Sequence, residues 1–455
     1  MPSSSATITG AAPARLHPLI IIGALFFIFG FVTWLSSVLI PYLQIACELN
    51  SFQSYLVAFA FYISYFVMAA PSGWLLKITG YKKGMSAGLL LVAAGSLLFV
   101  PAAMYRQYII FLTGLFVQGA GLAVLQTASN PYVTILGPVE SAARRMSIMG
   151  ICNGVAGIVA PLILGAVILS DADGLVADLQ RMTEAQKTAA LNGLAQKVII
   201  PYIVITALLL VLAALIYRSP LPEISPEEDV EENNMPAQQS SAGGHNTVRE
   251  DAGTASTARD NAEKGSVFQF PYLLLGVFTL FLYVGVEVIA GNTIISYGAY
   301  QGIRLSTARF FTSFTLLAML GGYLAGIVLI PRYLSQQAAL KYSALLGIVF
   351  SLAAIFTTGY TSVLFIALLG LANSLMYPAI WPLSIHGLGR FTNAGASLLV
   401  MAISGGAVLP LAYGKLADAF NEQQAYWLVV PCYIVIGLFA IKGHLIGRKK
   451  ELSNL

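Results

Sequence analysis

Charge is what this sequence has least of. Only 10% of its 455 residues are Asp, Glu, Lys or Arg, against about 25% in soluble domains, which excludes an ordinary water-soluble fold. Cysteine is scarce as well. Cys47, Cys152 and Cys432 lie in or beside apolar runs without C-x-x-C spacing. That argues against a disulfide scaffold or a metal site and leaves three small packing residues. Also missing are a Walker loop, H-E-x-x-H, G-x-S-x-G and any cluster of metal ligands. Neither an enzyme nor an ATP-driven pump is therefore expected, and no cofactor or nucleic-acid partner. The opening stretch MPSSSATITGAAPARLHP is polar and small, with no cleavage site of the secretory kind.

Apolar residues are what the chain has in excess: 57% are hydrophobic and the mean hydropathy is +0.78. Stretches of roughly 20 such residues recur along the whole length, the mark of a polytopic α-helical membrane protein. Twelve spans are expected, at about 18–45, 53–77, 84–103, 107–136, 146–169 and 196–217, then 269–297, 306–331, 339–358, 362–385, 393–414 and 425–443. Between the sixth and seventh lies the only long polar segment, 219–265, rich in Pro, Glu, Ser, Asn and Gly. It reads as a disordered linker joining a bundle at 1–218 to a second at 266–455. Six spans on either side of a linker is the layout of a duplicated carrier whose halves each contain inverted repeats.

Basic residues set the expected orientation. Lys77, Lys82, Lys83, Arg144, Arg145, Arg332, Lys341, Arg390, Arg448, Lys449 and Lys450 all fall on the side of the linker and termini. The opposite side has Arg106, Arg304, Arg309, Lys415 and a loop of mixed charge at 171–197. Both termini are expected in the cytoplasm.

Polar side chains within the spans carry the chemistry. GLFVQGAGLAVLQTASNPYVTILGP (Gly114 to Pro138) places Gln126 and Asn130 four residues apart on one helical face. An amide both donates and accepts, which suits a neutral polyhydroxylated ligand, and in hydrocarbon it must face the bundle interior. Glu287 is the one acid or base well inside a span. Keeping a lone carboxylate charged there costs several kcal/mol, so it is the natural seat for a coupling proton or sodium ion. Gly291–Asn292 follows within about a turn and is placed to loosen the helix. Trp34 and Ser37 share a face of the first span, and Asn153 sits among small residues of the fifth. Asn373, Tyr377 and Trp381 form an i, i+4, i+8 stripe in the tenth, beside the helix-breaking Pro378 and Pro382.

LQTASNPYVTILGP (Leu125 to Pro138), NSLMYPAIWPLSIHGLG (Asn373 to Gly389) and GASLLVMAISGGAVLPLAYGKLAD (Gly395 to Asp418) resemble the fucose–galactose–glucose symporter family of the major facilitator superfamily. GWLLKITGYKKG (Gly73 to Gly84) is similar to the loop between spans two and three of facilitators, with Lys77 where an Asp is usual. The resemblance implies the major facilitator fold and cation-coupled uptake of a monosaccharide across the bacterial inner membrane. The fucose-permease branch has acids where Ser37 and Gln126 stand here. Its proton site therefore does not transfer, and coupling moves to Glu287, which matches the glucose/galactose branch.

The resulting expectation is a monomeric symporter for a glucose- or galactose-type hexose. Gln126, Asn130, Asn153, Asn292, Asn373, Ser37 and Tyr377 line the sugar site, Trp34 and Trp381 pack on its ring, and Glu287 binds a proton or sodium. A uniporter of the same fold, or an exporter of amphiphiles, is the alternative.

Overall fold

The computed structural model describes residues 18–135, 142–169, 172–179, 181–219, 266–330, 333–385, 388 and 391–447. The expected linker, apart from Ser219, and Arg332, Arg390, Arg448, Lys449 and Lys450 fall outside them, as do the side chains of Lys77, Asn130, Arg144 and Arg145. The described residues form helices and no strands. Twelve are long and apolar enough to cross a membrane: Ile20–Ala46, Ser51–Leu76, Ile78–Tyr105, Tyr108–Ser129, Ile148–Ile168, Glu184–Arg218, Pro271–Asn292, Leu305–Leu329, Gln336–Phe356, Gly359–Ile385, Ser397–Ala419 and Glu422–Ile441. Helices are what a bilayer demands, because only they satisfy every backbone polar group within one segment. The end where the first span gives way to the second is here the far end; the other is the linker end.

Turns between spans follow local chemistry. At the far end, Asn50 accepts from the Gln53 N–H at 2.7 Å while the Gln53 side chain accepts from the Asn50 N–H at 3.1 Å, a reciprocal cap that starts the second span. At the linker end, Gly80 reverses the chain between spans two and three with φ 73°, a conformation that penalises any side chain.

Residues 171–197, expected as a loop, instead hold helices Ala172–Leu179 and Glu184–Gln196, the second leading straight into the sixth span. Its Ala-rich sequence favours helix, and Leu191, Leu194 and Ala195 recur at helical spacing as a buried face. Tyr42 donates to the Ala195 carbonyl at 2.8 Å and Lys187 pairs with Glu48, so the helix is tied to the end of the first span. Of the mixed charge that marks a loop in the sequence, Glu184 and Lys187 lie on this helix and Asp178 on the one before it.

The halves pack alike. A Cβ on Gly30 would strike the Asn153 carbonyl, joining spans one and five, and one on Gly405 would strike the Phe281 carbonyl, joining eleven and seven. Gly119 against Phe61 and Gly370 against Thr315 join four to two and ten to eight in the same way. These close approaches are equivalent in the two halves, a likeness that residue identities conceal.

Several spans are discontinuous among the described residues, and four of the breaks bear on the site. The first breaks at Leu35, between helices Pro18–Trp34 and Ser36–Ala46. The seventh breaks at Thr293, directly after Gly291–Asn292. The tenth breaks at Ser374–Leu375, ahead of Pro378, but the helix Met376–Ile385 runs on through Pro382, which was expected to break it too; the eleventh breaks at Ile403–Ser404. Broken helices free backbone groups and mark the middle of carriers.

The halves touch through spans two and eleven, five and eight, and one and seven. At the far end the Asp418 carboxylate accepts from the backbone N–H groups of Ser51 and Phe52 at 2.9 and 2.7 Å. Beside it, Tyr55 and Tyr413 meet edge-to-face with centroids 5.5 Å apart. Gly414 lies so close under Tyr55 that a Cβ would overlap the ring. Across the other pair, Ser313 donates to the Ile158 carbonyl at 2.9 Å and Arg309 to that of Gly165 at 3.5 Å.

Candidate functional site

Breaks in the first and seventh spans bring Ser36 and Asn292 together, the hydroxyl donating to the Asn292 Oδ1 at 3.3 Å. The eighth span secures the same level: Thr312 donates to the Gly291 carbonyl at 2.8 Å. Trp34, only 6% exposed, packs against Leu316 and Met319 of the other half. Glycines at 157 and 291 make room for its indole. Ser37 is buried and donates to the Trp34 carbonyl at 2.7 Å. Trp34, Ser37 and Asn292 thus form a buried floor across both halves, towards the far end.

On the linker side of that floor, five residues earlier in the seventh span, stands Glu287. Tyr283, one turn before it, directs its hydroxyl to the carboxylate. Tyr62 of the first half and Tyr323 and Tyr377 of the second lie within electrostatic reach. Glu287 nevertheless keeps partial exposure. With tyrosines of both halves near it, the carboxylate lies between the halves rather than on the lipid face.

Gln126 reaches the same place from the fourth span. Its Nε2 donates to the Tyr65 hydroxyl at 2.9 Å, and Tyr65 is within electrostatic reach of Tyr377 in the other half. Tyr377 stacks on Trp381 with centroids 5.7 Å apart and faces Tyr283 at 6.2 Å. Gln126, Tyr377 and Trp381 all remain partly exposed.

Asn373 sits at the break of the tenth span, where the predicted stripe is interrupted. Its Oδ1 accepts from Tyr433 at 2.9 Å, and its Nδ2, like that of Asn292, is buried without a partner among the described residues. Asn153 is half-buried in the fifth span, its carbonyl against Gly30. Asn130 lies on the helix Tyr108–Ile135, with its side chain outside the described residues. The structure therefore brings Glu287, Gln126, Tyr377 and Trp381 around one interior region and places Trp34, Ser37 and Asn292 beneath it.

Sequence reasoning missed two groups. The first is the tyrosine collar of Tyr62, Tyr65, Tyr283 and Tyr323, invisible among 22 tyrosines until the spans are packed. The second is the acid pair Asp418 and Glu422, which look like ordinary loop charges. Glu422 is half-buried at the start of the twelfth span, where its Oε2 accepts from Tyr413 at 2.8 Å and from Tyr55 at 3.5 Å. Their signal was position: two acids flanking the short turn between spans eleven and twelve. Among the described residues no group of three or more His, Cys, Asp or Glu is placed to hold a metal.

Comparison with known proteins agrees with this architecture. The Major Facilitator Superfamily model matches residues 22–410. A glucose/galactose transporter of Brucella abortus is 33% identical over 92% of both chains. The L-fucose-proton symporter of Escherichia coli is 30% identical, covering 95% of this chain and 94% of that protein. Among solved structures, the crystal structure of FucP in the outward conformation aligns with a TM-score of 0.66 at 30% identity, covering 93% of this chain and 98% of its own. The chain belongs to the Major Facilitator Superfamily, in the family that includes the glucose/galactose transporters and the L-fucose-proton symporters.

Proposed function

We propose that this chain is a proton-coupled symporter importing a hexose of the glucose or galactose type across the bacterial inner membrane by alternating access. It is a transporter and not an enzyme. The observation that carries the proposal is one carboxylate inside a span beside tyrosines of both halves, with the Gln126 amide bonded to Tyr65 of the same group, near the breaks in spans one, seven and ten.

A hexose offers hydroxyls that donate and accept, together with apolar C–H faces. Gln126, Asn130, Asn153 and Asn373 match the first, and the stacked pair Tyr377–Trp381 is a platform for the second. The unpartnered Nδ2 of Asn373 supports this. A buried donor without an acceptor costs about 1–3 kcal/mol, which a ligand hydroxyl or a water removes.

Glu287 is the proton carrier in this scheme. The relatives from Escherichia coli and Haemophilus influenzae are named proton symporters, which favours a proton over sodium. Gln126 and Ser37 cannot ionise, which leaves Glu287 as the acid at the site.

The halves 1–218 and 266–455 act as the rocking bodies. With the linker end in the cytoplasm, as the basic residues indicate, the far end is periplasmic and the described conformation is shut to the outside. Trp34 is then the plug under the sugar, and Asp418 on the second span is the latch.

The test is uptake of D-glucose, D-galactose and L-fucose into proteoliposomes with an imposed inward proton gradient. Saturable, gradient-driven accumulation is expected. Glu287→Gln should abolish accumulation yet leave sugar exchange across a symmetric membrane. Loss of exchange and binding in that variant would move Glu287 to the substrate, and an absence of saturable sugar uptake by the wild type would overturn the function.

A further inference from the structure

Beyond that floor, towards the far end, a half-open cleft of about 270 Å³ lies between the halves. One wall is Pro41, Gln44 and Ile45 of the first span; the other includes Ser296 and Tyr300 after the seventh and Glu422 at the start of the twelfth. Its volume falls just below the roughly 300–1,000 Å³ of sites for drug-sized ligands, a match for something the size of a monosaccharide.

The lining is largely apolar, with Ala299 and Leu305 beside Pro41 and Ile45, but it carries polar groups from both walls. Both tyrosine hydroxyls that reach Glu422 converge on Oε2, so Oε1 has no hydrogen bond among the described residues. The Gln44 amide, also without a side-chain partner there, supplies donors and an acceptor from the opposite wall, and Ser296 adds a hydroxyl. Tyr300, 46% exposed, offers its ring. A carboxylate oxygen, an amide, a hydroxyl and an aromatic face are the groups that hold a neutral polyhydroxylated molecule.

The two walls belong to different halves. The cavity exists in this form only while Asp418 and the Tyr55–Tyr413 contact keep the far end shut, and rocking open pulls it apart. A ligand that binds one of two states shifts the population towards that state.

We propose that this cleft is a second, weaker hexose site, specific to the shut state, and that sugar bound there holds the far end closed. This rests on the transport function proposed above. Its consequence is self-inhibition: uptake rises with outside sugar, passes a maximum and falls as the cleft fills.

Two measurements on the full-length protein test it, with Gln44→Ala and Tyr300→Ala as variants because neither residue touches the central site. Equilibrium dialysis of detergent-purified protein with radiolabelled D-glucose or D-galactose should resolve a strong and a weak site in the wild type and only the strong one in each variant. Uptake by the wild type should fall by roughly half beyond its maximum at high sugar. In the variants it should plateau, with the low-concentration limb unchanged within about twofold. A single class of site in the wild type, or a weak site and a falling limb that survive both substitutions, would overturn the proposal while leaving the transport function intact. Inhibition by choline but not by hexose would overturn it in favour of a cation site. No hexose binding at all would instead remove the transport function, and this inference with it.

Discussion

Removing the Asp418 carboxylate should loosen the far end. This side chain takes the N–H groups of Ser51 and Phe52, two of the four donors that open the second span without intrahelical partners. Hydrogen bonds to a charged group contribute about 1.5–3 kcal/mol each, and a carboxylate at a helix N-terminus adds about 0.3–1 kcal/mol. Asp418 is exposed. Solvent screening therefore reduces the sum, and about 1–3 kcal/mol is the stabilisation expected for the shut state, or roughly 5- to 150-fold in its population ratio. The second span keeps its own cap, because Asn50 and Gln53 bond each other independently of Asp418. Local unfolding is therefore not the cause of any change.

Ser313 is the reporter: it is 3% exposed and bonded across the halves to Ile158. With Cys47, Cys152 and Cys432 replaced, Ser313→Cys is labelled from the far side by a membrane-impermeant maleimide, and the rate follows the open fraction. Asp418→Ala should speed labelling by the factor above. Asp418→Asn, which retains one amide oxygen as acceptor, should fall between alanine and wild type. Labelling unchanged within about twofold in both variants, or asparagine exceeding alanine, would refute the latch.

Two further outcomes are expected. Gly414→Leu places side-chain atoms where Tyr55 and the Ser51 carbonyl already stand, so it should block closure. The same Ser313→Cys reporter should then be labelled faster than in Asp418→Ala, and transport should fall because one half of the cycle is lost. Gln126→Ala removes an amide held by Tyr65 and leaves that hydroxyl without its partner. At about 0.5–1.5 kcal/mol per hydrogen bond, sugar affinity measured by thermal stabilisation should weaken roughly 2- to 12-fold with the fold unchanged.

Much of this protein was legible in its residues. Twelve spans, the break after Gly291–Asn292 and the break ahead of Pro378 are all local consequences of apolar length and backbone chemistry, and all appear in the structure. Glu287 stood out for the same reason, since one carboxylate in hydrocarbon is conspicuous whatever surrounds it. The helix Glu184–Gln196 was missed because hydropathy alone cannot tell a solvated helical face from a loop. Trp34 and Ser37 shared the predicted face, but only packing placed that face against Leu316 and Met319, in a floor.

What the sequence determined by itself is how often the chain crosses the bilayer and which polar groups it carries inside, because the membrane charges each residue for its own exposure. What only the tertiary structure decided is where the two halves meet and what each polar group faces. Those contacts join residues as far apart as Asp418 and Ser51, separated by 367 positions, and their energy depends on geometry that no local pattern encodes.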